Sequence, residues 1–307
     1  MVFLSVDGGR RWSDAEHKEN ENMFGGVCVV TTTKFPGWSE NGPLYNIDKI
    51  RGDIALETID AASKRGINMV VVDGGSSQSF LQRILGNTID LRLQEGGLGI
   101  SASRVYGFTE AVKKTDTKVV VWMEPEKTDF LLRGLVSVLH IMRRRDVDVV
   151  IPKRSAKSLE KYPKYQQHTE SIGNRLWNEI LRSHGLLSPE SEDFDVFFGP
   201  RAFRNKLDIV DVFSGRYDFL ELSDEDMYSP VYDNLIFYSV MLSLNRGLAV
   251  KSVEVEYTPN KKQVDLEEAN IDMAKKRDAQ LEGIVKSAVS FANYLKKDSK
   301  RVLSNLK

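Results

Sequence analysis

The stretch "VVVWMEPEKTDF", residues 119–130, decides the fold. Val119–Val121 and Trp122 make an apolar run that reads as a buried strand. The run ends in Glu124 and Glu126 with Pro125 between them. Proline has no N–H to give to a strand ladder, so the sheet is expected to stop there. In an extended segment residues i and i+2 project to the same side. The spacing therefore predicts two carboxylates facing one ligand from the end of a core strand. Two such groups repel unless a cation joins them, and hard oxygen ligands suit Mg2+ or Mn2+. The plain alternative is a solvated loop in which Lys127 pairs with a glutamate.

The pattern on both sides of this stretch is alternation. "GVCVVTTT" (26–33) and "INMVVVDGGSS" (67–77) are apolar runs ending in small polar residues, "TIDLRLQ" (88–94) alternates as a half-exposed strand does, and "VDVVIPKR" (147–154) is a further strand. Helical spacing fills the gaps at 53–66, 79–85, through "SRVYGFTEAVKK", and at 129–145. Strand and helix in turn predict an α/β fold, a mostly parallel central sheet with helices on both faces. Beyond about residue 155 the reading is a long helix (162–185), a short strand and turn in "DVFFGPRAF" (195–203), a helix (230–247), a strand (248–259), an amphipathic helix over about 264–297, and a tail. Residues 1–24 read as a polar arm. One continuous unit is expected over 25–257, with a nucleotide-type half (25–154), an acceptor-type half (155–257) and a helical extension (258–307). That extension can pack on the domain or pair two copies into a homodimer.

The chain has 307 residues, 41% hydrophobic and 28% charged, with a net charge of −1. This balance excludes a global field that would draw nucleic acid or an anionic membrane. No apolar run approaches the roughly 20 residues that span a bilayer. Cys28 is the single cysteine. It has no internal disulfide partner, so a reducing, cytoplasmic setting is expected.

In open parallel sheets, ligands bind outside the carboxyl ends of the strands. Four strand ends here carry small or polar groups: Thr31–Thr33, "DGGSS" (73–77), "GGLG" (96–99) with Arg104 after it, and "EPEK" (124–127). If the sheet is parallel, all four converge on one edge. Asp73 can accept hydrogen bonds from a base or ribose; the alternative is a βα turn in which Ser76 or Ser77 caps the next helix. "GGLG" can bring backbone N–H groups near a phosphate, though a plain turn is the simpler reading. It lacks the P-loop's following Lys and Ser/Thr, and the dinucleotide spacing. The four histidines are scattered, and neither a G-x-S-x-G elbow nor a Cys–His signature is present.

In their order these motifs resemble those of GT-A-fold glycosyltransferases close to family 2, of the dolichyl-phosphate-mannose or mannosylglycerate synthase type. "VVVDGGSS" is similar to that family's "VVDDGS" turn, "GGLGISASR" to its small-residue segment with an arginine, "MEPE" to its Asp-x-Asp signature, "DVVIPKR" to the strand after it, "FFGPRAFRN" to its acceptor-side turn, and "YDNLIFYSVMLSLNRGLAV" to its late helix and strand. The resemblance covers roughly residues 25–257. It implies a GT-A (nucleotide-diphospho-sugar transferase) fold and transfer of a sugar from a UDP- or GDP-sugar to an acceptor hydroxyl, aided by Mn2+ or Mg2+. It implies donor contacts from Thr31, Thr33, Asp73, Ser76, Gly97, Arg104 and Glu124, with Glu124 and Glu126 at the metal. Asp233 falls where the family places its acceptor-activating base. Arg154 and Gly199 fall on its acceptor or diphosphate side. The sequence departs from the family at Gly74, where a second aspartate is usual, and at Glu-x-Glu in place of Asp-x-Asp. It also lacks a histidine after 248–257; Lys261 and Lys262 stand there and can meet a diphosphate. Two alternatives are a sugar-phosphate nucleotidyltransferase, for which "TTTKFPGW" is a poor glycine-rich basic loop, and a non-catalytic nucleotide-sugar-binding scaffold of the same fold.

Overall fold

The computed structural model describes residues 23–43, 45–94, 99–214, 235–268 and 270–305. The apolar runs form β1 (Val27–Thr33), β2 (Asn68–Asp73), β3 (Asp90–Leu93), β4 (Val119–Trp122) and β5 (Val149–Arg154), followed by β6 (Arg201–Arg204) and β7 (Val250–Val255). They make one sheet in the order β3-β2-β1-β4-β6-β5-β7. β1 runs parallel to both β2 and β4, β2 to β3, and β5 to β7. β6 is antiparallel to both of its neighbours, β4 and β5. β4 and β5 therefore point the same way. The carboxyl ends of six strands meet on one edge, joined there by the amino end of β6.

Side-chain alternation splits the core between the two faces. Cys28, Val30, Val70, Val72, Val120 and Trp122 pack on one face with Phe108. Val29, Val71, Val121 and Met123 pack on the other with Ile59, Phe80 and Phe130. The helices that cover the sheet are α1 (Ile47–Lys64), α2 (Gln78–Ile84), α3 (Ile100–Lys113), and a π-helical turn (Phe130–Gly134) that runs into α4 (Leu135–Met142). Asn46 caps α1 by accepting from the Asp48 N–H. α1 thus begins at Ile47 rather than at Asp53, where its apolar period starts. That early start carries Arg51 to the strand-end edge.

The second half departs from the sequence reading in three places. After the short α5 (Ala156–Leu159) and the long α6 (Lys164–Ser183), "DVFFGPRAF" divides into a 3-10 turn (Val196–Phe198) and β6. An unanticipated α7 (Leu207–Phe213) follows. α8 is described over Leu235–Asn245. The charged C-terminal stretch is two helices, α9 (Lys261–Glu268) and α10 (Ile271–Asn305), so the expected tail is helical through Asn305. α10 lies along α6 and α8. Its Ile284, Ala288, Phe291, Ala292 and Leu295 are buried in the same cluster as the sheet residues, because their i, i+4, i+7, i+8, i+11 spacing makes one apolar stripe. Of the expected polar arm, Met23 and Phe24 are described, and Phe24 is buried in the core. Among the described residues no helix is long and apolar enough to cross a membrane.

Candidate functional site

Parallel pairing of β1 and β2 sets Thr33 opposite Asp73. Thr33 Oγ1 donates to Asp73 Oδ2 at 2.8 Å. The N–H groups of Gly75 and Ser76 both donate to Asp73 Oδ1 at 2.9 Å. Gly75 takes φ +113°, a left-handed backbone that closes this turn and favours glycine. Ser76 Oγ accepts from the Phe35 N–H at 2.9 Å, tying the β1 loop to the β2 turn. Ser77, not Ser76, caps α2. Thr31 Oγ1 is buried on the same edge with no partner among the described residues. Arg104 comes from α3 and lays its guanidinium 4.8 Å from the centre of the Trp122 ring. Gly97 and Asp233 lie outside the described residues.

The β4 end differs from the extended geometry that the sequence suggested. The Lys127 N–H donates to the Glu124 carbonyl at 3.2 Å, so "EPEK" is a turn. The two glutamates consequently take different partners. Glu126 is buried, and its Oε1 receives Arg51 Nε at 2.6 Å and Nη2 at 2.5 Å. Glu124 reaches toward Gly199, whose φ of +102° and missing side chain leave room for the carboxylate; a Cβ there would overlap it. Glu124 Oε2 is buried without a hydrogen-bond partner. Lys127 Nζ lies 3.9 Å from it, too far for a hydrogen bond, and sits 4.7 Å from the Phe198 ring centre and 5.2 Å from that of Tyr257. Burial alone would lower the Lys127 pKa, but Tyr162 and Glu124 outweigh it and hold the ammonium above its ordinary value. Arg201, at the start of β6, is fully buried, and burial pushes its pKa down to about 10 against the pull of Glu124 and Asp195.

Arg154, the last residue of β5, is enclosed by its own partners. Its Nε and Nη2 reach the two oxygens of Asp195 at 2.7 Å, and Nη1 reaches Glu170 Oε2 at 2.5 Å. Gln166 and Asn174 complete the network. Lys261 and Lys262, at the start of α9, are exposed, and Lys261 pairs with Asp265. Neither lines the cavity at this edge. That cavity, of about 110 Å3, is walled by Arg51, Glu124, Glu126, Lys127, Tyr162 and Tyr257, with further residues from α6, α9 and α10. Sequence reasoning missed Arg51, Tyr162, Tyr257 and Arg277 as wall residues. The aromatic pair flanks two prolines, in "YPKY" and "EYTP", which was a usable signal; Arg51 and Arg277 looked like ordinary helix-surface residues.

A divalent cation at this edge would need uncommitted oxygen ligands. Glu126 is committed to Arg51, and Lys127 faces Glu124. Among the described residues no group of three or more His, Cys, Asp or Glu side chains is gathered to hold a metal ion. An ion bridging both glutamates would have to break the Arg51 pair and sit beside an ammonium. The described side chains do not fit Mn2+ or Mg2+.

No protein-family model matches the chain. No curated protein sequence matches it. Solved structures do. Glucosyl-3-phosphoglycerate synthase of Mycobacterium tuberculosis is 10% identical, with 91% of this chain and 86% of that chain covered and a TM-score of 0.47. The same enzyme in complex with Mn2+, UDP and glucosyl-3-phosphoglycerate gives 10% identity, 94% and 87% coverage and a TM-score of 0.46. The 4-diphosphocytidyl-2C-methyl-D-erythritol synthase of Anaerococcus prevotii gives 14% identity, 84% and 99% coverage and a TM-score of 0.42. These are likenesses of fold.

Proposed function

We propose that the chain is a GT-A-fold glycosyltransferase, moving a sugar from a nucleotide-diphospho-sugar to an acceptor hydroxyl. The observation that supports it is a convergence: the Thr33–Asp73 turn and the Glu124–Lys127 turn lie on one edge, because β1 pairs in parallel with both β2 and β4. In this reading the β1–β2 side, with Thr31, Thr33, Asp73 and Ser76, takes the nucleoside, and Gly97 and Arg104 take the phosphates. The acceptor oxygen forms a bond to the anomeric carbon as the bond from that carbon to the diphosphate oxygen breaks. The electron pair leaves with the nucleoside diphosphate, and the acceptor proton passes to a base, assigned to Asp233 if the reaction inverts. Charge growing on the leaving group is met by fixed cations. In the family the chain resembles, a divalent ion would supply that positive charge. Glu126 acts instead by holding Arg51, which meets the leaving group's charge, while Lys127 faces Glu124 on the acceptor side. Arg154 and Gly199 shape the acceptor side. A cytoplasmic setting belongs to the same proposal.

Calorimetry with UDP-, GDP- and dTDP-sugars, each with and without Mn2+, tests it. At least one donor is expected to bind and to be slowly hydrolysed or transferred. Binding of none of them ends the proposal. Consumption of a nucleoside triphosphate with pyrophosphate release would replace it with nucleotidyl transfer.

A further inference from the structure

The cavity beside Glu124 carries a polar mismatch that no described residue resolves. Lys127 Nζ has no hydrogen bond to the described residues, and the side chain is only 14% exposed. Glu124 Oε2 is buried and also without a donor. Leaving either atom unsatisfied carries its desolvation penalty uncompensated. The two atoms stand 3.9 Å apart. One oxygen at about 2.8 Å from each fits across that gap.

The chemistry of this oxygen is restricted. It must accept from an ammonium and donate to a carboxylate, which a water or the ligand hydroxyl that displaces it does. A phosphodiester or fully ionised phosphate has nothing to donate to Glu124, and one that keeps an O–H still brings negative charge against the carboxylate. A divalent cation has nothing to accept from Lys127. The rest of the wall agrees. The cavity is lined by four cationic and four carboxylate side chains, so neither a net anion nor a net cation is favoured. Tyr162, Phe198 and Tyr257 supply ring surface beside these charges. A volume of about 110 Å3 holds several waters at the roughly 10–15 Å3 each occupies.

We propose that this cavity binds a neutral polyhydroxylated acceptor, a sugar or cyclic polyol, with one hydroxyl seated between Lys127 Nζ and Glu124 Oε2. The inference rests on the glycosyl-transfer reading and names its acceptor class. The seated hydroxyl is a binding contact and need not be the attacking one.

The test is calorimetry on the full chain saturated with UDP or GDP. The probes are D-glucose, D-mannose, D-galactose and myo-inositol, alongside inorganic phosphate and MnCl2. At least one polyol is expected to bind, and phosphate is expected not to compete. Lys127→Met and Glu124→Gln are each expected to weaken that polyol tenfold or more. The far-UV spectrum and melting midpoint report whether each variant is folded, and the isosteric Glu124→Gln decides if Lys127→Met is not. The inference is overturned by polyol affinity unchanged in the folded variants, by phosphate binding that Lys127→Met abolishes, or by nucleotide binding with no polyol binding. Failure of UDP and GDP to bind the parent protein would instead strike the glycosyl-transfer reading itself.

Discussion

At the end of β2, Asp73 receives three neutral donors, two backbone N–H groups and the Thr33 hydroxyl. At the end of β4, Glu124 keeps a buried oxygen with no donor, while Glu126 and Arg154 are held by full charges. Both arrangements lie on the same sheet edge. The first combines two turn N–H groups, two and three residues from Asp73, with Thr33 brought 40 residues along the chain by the β1–β2 pairing. The second depends on side chains brought from α1, α6 and the β6 turn, and is left incomplete at one place. A carboxylate held by three neutral donors is fixed in place and keeps room for about one more donor. A carboxylate left short of a partner is where a ligand has something to gain.

The largest effect is expected where the charged half is most enclosed. Arg154→Met strands Asp195 and Glu170 in the interior, and about 3–5 kcal/mol of stability should be lost in urea unfolding. A loss below about 1 kcal/mol would mean that this network is no structural lock. Next is the neutral half. Asp73→Ala removes the acceptor of three donors and should cost about 2–3 kcal/mol, whereas Asp73→Asn should cost less than half of that. Equal costs for the two variants would show that charge, not hydrogen bonding, holds this turn. Gly199→Ala forces a side chain into a φ of +102° and against Glu124, for about 2 kcal/mol. Part of that cost should disappear in a Glu124→Ala background, and strict additivity would separate the two residues.

The pH dependence divides between the halves. Burial would raise the pKa of Asp195, but Arg154 outweighs it and holds the carboxyl below its ordinary range. A depressed carboxylate contributes stability above its unfolded value near pH 4, and that contribution is lost as pH falls through the folded value. Cys28, in β1, is pushed by burial from an ordinary 9.0 to about 12. Its contribution is whole below pH 9 and is lost as pH rises toward 12, at about 1.4 kcal/mol per unit once the unfolded thiol ionises. Burial raises Tyr162 and Tyr257 as well, so the alkaline limb should persist but start later in Cys28→Ala. An unchanged limb in urea titrations of that variant would remove Cys28 from it. The smallest effect is expected from Glu124→Gln, less than about 1 kcal/mol in stability, because that oxygen has no donor to lose.

Much of the neutral half was legible. The apolar runs, the glycine turn after Asp73 and the helix stops are local, and they fell within a few residues of their observed bounds. The charged half was read less well. Pro125 marked the end of β4 correctly, yet the inference of an extended backbone beyond it failed, because the chain turns back at once. α7 was overlooked, and so was the break between α9 and α10, although Asn270 there is a usable N-cap signal whose side chain accepts from the Asp272 N–H.

The sequence alone determined that valine-rich runs alternate with helices, and hence that small and acidic residues would gather at the carboxyl ends of parallel strands. It did so because periodicity and turn chemistry are properties of a few neighbouring residues. Only the tertiary structure decided which charge meets which. Arg51 is 75 residues from Glu126 and Arg154 is 41 from Asp195. Pairings at such separations follow from strand order and helix packing, which no local pattern encodes.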